Sequence, residues 1–91
     1  MENVIAYRVV ESKPAIGEKL EASLVWSGDE PTSDRLQGTS CWASLAKARE
    51  YGRYSKGYWL IAVEGEHVMD GELAGEVVVR DAVVTEIITE L

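Results

Sequence analysis

The chain has one cysteine and one histidine. A single thiol, Cys41, excludes an internal disulfide framework and removes any demand for an oxidising compartment. One Cys and one His, His67, are too few for a structural zinc site. Long apolar runs are missing as well: no window approaches the roughly 18 apolar residues of a membrane span. The N-terminus shows no basic stretch followed by an apolar run, so no secretory signal is expected, and the expected compartment is the cytoplasm. No glycine-rich phosphate loop, metal-ligand spacing or hydrolase elbow occurs. There is no internal repeat and no low-complexity tract. Positive charge is scarce after residue 63. Residues 64–91 hold Glu64, Glu66, Asp70, Glu72, Glu76, Asp81, Glu86 and Glu90 against Arg80 alone, whereas residues 1–63 balance eight acids with eight bases. The net charge of -7 therefore resides wholly in the last third. That disfavours direct binding to nucleic acid and attracts a basic partner, such as a protein that itself binds nucleic acid. The plainer reading is solubility.

The composition, 46% hydrophobic and 27% charged, is that of a globular chain, and 91 residues make a single domain over 1–91. Val4–Val10 is β-branched and aromatic and predicts a strand. In residues 14–25, Ile16, Leu20 and Leu24 recur every four residues and Pro14 suits a first helical turn, which predicts a short helix; the Ala-Ser-Leu-Val-Trp run of residues 22–26 fits an extended piece equally well. Ser27–Gln37 reads as a loop. Ala43–Tyr51 is rich in helix formers, with Ser40 or Ser44 as cap and Gly52 as a left-handed end. Tyr58–Glu64, Glu76–Arg80 and Val83–Thr89 predict strands. Gly65 and Asp70-Gly71 are turn signals. The expected fold is α+β, a small and mainly antiparallel sheet of four or more strands with one or two helices.

Three features carry candidate chemistry. Arg8 on the first strand offers a planar, permanently charged fork to an anion; the plainer reading is an arginine paired with a surface acid. Thr39 and Ser40 can hydrogen-bond a sugar, or simply cap a helix. Glu76 enters an apolar strand and can stabilise positive charge developing on a sugar ring; the plainer reading is a solvated residue beside a glycine turn. Tyr51, Tyr54, Tyr58 and Trp59 can stack on a flat ligand or fill the core. Lys47, Arg49, Arg53 and Lys56 form a small basic stretch among these tyrosines, a pattern that suggests nucleic acid; four charges on an acidic domain are weak, and the plainer reading is a solvated helix face. Trp26 and Trp42 are expected as core or interface anchors, and Cys41 as a small buried residue.

The order Tyr7-Arg8, Gly38-Thr39-Ser40 and Ala74-Gly75-Glu76 before Val77-Val78-Val79 resembles the arginine-type mono-ADP-ribosyltransferases of bacterial toxins, in shortened form. That family carries an aromatic-Arg pair, a Ser-Thr-Ser strand and a Glu/Gln-x-Glu turn. Gly38 and Ala74 depart from it, standing where the first serine and the outer acidic or amide residue would be. The resemblance implies NAD as cofactor, with Glu76 catalytic and Arg8, Thr39, Ser40 and Tyr54 binding NAD. It also implies transfer of ADP-ribose to a protein, or hydrolysis of NAD. A second class is a non-catalytic binder of a protein target. Small acidic domains of this kind resemble phage-encoded inhibitors of host defence, including anti-CRISPR proteins.

Overall fold

Alternation of side chains along the first strand sets the architecture. In β1 (Asn3–Val10) Ala6 is fully buried, while Tyr7 and Val9 point the other way, toward a second apolar layer. Four strands and one helix follow this logic in the computed structural model, which describes residues 2–21, 38–71 and 73–91. The elements after β1 are β2 (Thr39–Trp42), α1 (Leu45–Gly52), β3 (Trp59–Asp70) and β4 (Glu76–Glu90). All pairings are antiparallel, and the sheet closes on itself in the order β1-β2-β4-β3. Closure pairs each strand on both sides for part of its length, and the backbone of β4 left open around Ala82–Val84 is met by residues 17–20.

Two apolar layers result. The barrel interior holds Ala6, Cys41, Ile61, Val63, Val79, Ala82 and Val84. Most of these side chains are small, as the narrow lumen of a four-stranded barrel requires. Outside the barrel, Trp42, Leu60 and Ala48 meet Tyr7, Val9, Leu45, Ile88 and Leu91 beneath α1. The helix starts at Ser44, whose hydroxyl accepts from the Lys47 backbone N–H at 3.1 Å. Ser40 is not a cap. It lies in β2, its position fixed by pairing with Val78. Gly52 is the buried last residue of α1, and Arg53 follows in right-handed backbone, so the expected left-handed glycine end does not form.

The two strands expected at 76–80 and 83–89 are one continuous strand, β4. Asp81 joins them with a φ of 54°, a left-handed conformation that Asp tolerates better than most residues. Opposite this bend the pairing shifts between Glu64 and Glu66. Gly65 is therefore an in-strand glycine and not a turn. A Cβ there would lie 2.5 Å from the Arg80 carbonyl oxygen and 2.6 Å from Val79 Cγ1. The bend lets long strands curl into a closed barrel.

Residues 14–21 are not helical. Gly17 donates to Val84 O at 2.8 Å, Leu20 donates to Ala82 O at 2.8 Å, and Val84 donates to Glu18 O at 2.9 Å. The segment runs alongside β4 and satisfies its outward backbone groups. Ile16 is 61% exposed while Leu20 packs on the core, so their four-residue spacing does not describe one face. Residues 22–25, the Ser27–Gln37 loop and Trp26 lie outside the described residues.

Candidate functional site

The strand pairings bring part of the sequence-derived constellation together. Register places Tyr7 opposite Trp42, and Trp42 opposite Glu76. Arg8 shares the inward face of Ala6, with its guanidinium Nη1 donating to the Ser40 carbonyl. Burial draws the Arg8 guanidinium below its ordinary pKa, and the neighbouring Cys41 and Glu76 oppose that shift. Burial pushes the Cys41 thiol up to about 12, Arg8 pulls it down, and Glu76 adds to the rise. Arg8, Cys41 and Glu76 are thus electrostatic neighbours inside the fold. Such a thiol is protonated at neutral pH and chemically quiet.

Glu76 is 3% exposed, not solvated. The hairpin between β3 and β4 wraps around it: Gly71 donates to Glu76 O at 2.7 Å, and Glu76 donates to Leu73 O at 3.0 Å. A Cβ on Gly71 would fall 1.9 Å from Glu76 Oε1. The carboxylate therefore lies directly on the Gly71 backbone. Glu76 also backs onto an open cleft of about 520 Å3, lined by Ala43, Gly71, Leu73, Gly75 and Val77.

Thr39 is held by another contact, whereas Ser40 meets Arg8 through its backbone carbonyl. Both are buried, opposite Val79 and Val78, further along β4 from Glu76. The Thr39 hydroxyl donates to Glu21 O at 2.7 Å. Tyr54, 85% exposed, sits in the turn after α1. The residues that follow it are tied to Leu91, just past the far end of β4, where Gly57 donates to Leu91 O and Leu91 donates to Tyr58 O, both at 2.8 Å. Arg8 and Glu76 are together, with the Ser40 carbonyl on Arg8; Tyr54 stands exposed in the turn after α1.

A different site emerges on the outer wall of the barrel, where α1 does not reach. Its cleft, about 380 Å3, is lined by Asn3, Glu64, Glu66, Arg80, Asp81 and Val83, with Gly65 in its floor. Register puts Ile5 and Val83 on either side of Glu64. Ile5 is 56% exposed, so a carboxylate stands between two apolar side chains at the surface. Glu66 and Arg80 approach to 3.7 Å, and Lys19 meets Asp81 at 2.7 Å. The Lys19 ammonium, by hydrogen bond and charge, holds the Asp81 carboxyl below the usual carboxylate range. Sequence reading singled out the acidity of this segment but not Glu64 or Ile5 as partners. Their juxtaposition depends on β1–β3 register, which no local pattern encodes.

Among the described residues no group of three or more His, Cys, Asp and Glu side chains gathers as a metal site, and no helix is long and apolar enough to cross a membrane. The chain matches no protein-family model, no curated protein and no solved structure.

Proposed function

We propose that this domain is a non-catalytic binder that receives a basic segment of a partner protein in the acidic cleft of β3 and β4. The observation that carries the reading is the Ile5–Glu64–Val83 row beside Glu66 and Asp81. A lysine or arginine needs apolar surface for its stem and carboxylates for its head, and this row supplies both. The burial of Thr39, Ser40 and Glu76, with Arg8 half-buried on the Ser40 carbonyl, supports the same reading, because it turns most of the NAD-binding set into interior structure. Small size and net acidity agree with an inhibitor of the phage anti-defence type.

The test is surface plasmon resonance against immobilised nona-arginine at low and high salt. Association should slow with salt, since exposed charges are screened over about 10 Å at 0.1 M. Glu64→Lys with Glu66→Lys should slow association by roughly tenfold or more at low salt. Glu90→Lys, distant from the cleft, should leave it nearly unchanged. Equal effects of the two charge changes would reduce the cleft to a general consequence of net charge and defeat the proposal.

One observation favours a second reading, ADP-ribosyltransferase-like use of NAD: Glu76 lines a cleft and has Arg8 as an electrostatic neighbour. In that reading Glu76 stabilises the oxocarbenium-like sugar and Arg8 holds the pyrophosphate. Calorimetric titration with millimolar NAD separates the two. Nicotinamide release that falls about 100- to 1000-fold in Glu76→Gln, with weaker NAD binding in Arg8→Lys, would support it. No heat on NAD addition would sink it.

A further inference from the structure

We infer that a second surface, built by the end of α1 and the turn after it, binds single-stranded nucleic acid. Three of the large exposed hydrophobic side chains fall within eight residues: Tyr51 at 47%, Tyr54 at 85% and Tyr58 at 37% exposure. Tyr54 turns most of its ring to water, and Tyr51 keeps about half of its surface exposed beside its stack on Trp42. Cations are set against the aromatic rings. The Arg53 guanidinium lies 4.9 Å from the Tyr54 ring centre, and Lys47 Nζ lies 5.7 Å from that of Tyr51. Beside them, Lys13 Nζ stands 5.0 Å from the Trp59 ring. Residues 47–58 carry Lys47, Arg49, Arg53 and Lys56 against Glu50 alone. Glu90 stands at the margin, opposite Trp59, and Lys47 lies against Gly75, next to buried Glu76.

The surface is rigid where it needs to be. Tyr51 stacks on buried Trp42 with ring centres 4.3 Å apart and planes at 10°. Trp42 is pinned between β1 and β4, so the platform is fixed to the barrel. An acidic polypeptide would use the cations and leave the rings idle. A single strand uses both, with phosphates on Lys and Arg and bases on the tyrosine faces. The expectation of no nucleic-acid contact rests on the acid of residues 64–91 and on the small size of the basic stretch. The cations of α1 and of the turn after it lie outside that acidic segment. This surface is independent of the acidic cleft.

The test is fluorescence anisotropy with a labelled oligothymidylate 12-mer, a duplex of the same length, and unlabelled poly-glutamate as competitor. Binding to the single strand should be in the micromolar to submillimolar range at low salt and weaken as salt rises. Tyr54→Ala should weaken it roughly tenfold, the loss of one stacked base. Arg53→Ala with Lys56→Ala should flatten the salt dependence. Tyr54 is exposed and Tyr54→Ala should leave the thermal midpoint in place, so a loss of binding is not a loss of fold. Absence of binding at low salt overturns the proposal. So does binding indifferent to Tyr54→Ala, or displacement by poly-glutamate as readily as by oligothymidylate, which would assign the face to an acidic polypeptide.

Discussion

At Gly71 a single missing methyl group decides whether Glu76 can be buried. The three atoms nearest a Cβ at this position all belong to Glu76: Oε1 at 1.9 Å, Cγ at 2.3 Å and Cδ at 2.4 Å. Gly71→Ala should therefore displace the glutamate and cost about 2 kcal/mol or more, read as a shift in urea midpoint. Combining it with Glu76→Ala should recover much of that additional cost, because the clashing atoms are gone; strict additivity of the two changes would refute the packing argument. Cys41 makes a second prediction. Its folded value of about 12 lies above the roughly 8.5 of an unfolded thiol. Between those values the unfolded chain gives up a proton that the folded chain keeps. Stability from this group is thus fully present below about pH 8.5 and declines as pH rises toward 12. Denaturant midpoints at pH 7, 9 and 10 should fall more steeply in the wild type than in Cys41→Ala. Folded protein at pH 8 should also resist thiol reagents that label the unfolded chain at once.

Barrel closure concentrates at the bend where β3 passes β4. Gly65 meets the Arg80 carbonyl oxygen at 2.5 Å, Val79 Cγ1 at 2.6 Å and Ala82 Cα at 3.2 Å from its would-be Cβ. Two of these neighbours are backbone atoms, which cannot swing aside as a side chain can. Gly65→Ala should cost about 3 kcal/mol or more, or prevent folding, as judged by circular dichroism and thermal melting. An alanine variant with an unchanged midpoint would show that the bend is not fixed by this contact. The same bend explains why one strand reads as two. Arg80 and Asp81 interrupt the β-branched pattern between Val79 and Val83, and local sequence carries no sign that hydrogen bonding to β3 continues across the gap. The helix was legible because Ser44, Ala46, Lys47 and Ala48 state its start and its propensity locally. The extended course of residues 17–20 was not, since its cause is the open backbone of β4.

Charge acts on the molecule as a whole. Sixteen acids face nine bases, and like charges on a small globule repel one another. Raising salt from about 20 to 200 mM shortens the screening length to under 10 Å and should raise the thermal midpoint. A falling midpoint would mean that the ion pairs Lys19–Asp81 and Arg80–Glu66 outweigh the repulsion. Salt therefore has opposite expected effects on stability and on binding. The acidic cleft is lined from β1, β3 and β4, whereas the tyrosine face is carried by α1 and the turn after it.

Composition and local pattern were enough for a small α+β domain, its main antiparallel strands, its single described helix and the segregation of acid into the last third. These follow from propensity, capping and charge, all of which act between residues close in the chain. Arg8 and Glu76 were also legible as a pair of chemical interest, although reading them as a cofactor site gave no sign that Glu76 is buried. Whether a polar side chain ends in a core, a cleft or solvent depends on which strands lie beside it. Closure of the sheet, the placement of α1 over Tyr7, Val9 and Leu60, and the meeting of Ile5 with Glu64 were decided only by tertiary structure. The physical reason is register: strands distant in sequence are aligned by their shared core, and a shift of one residue would exchange the buried and exposed faces.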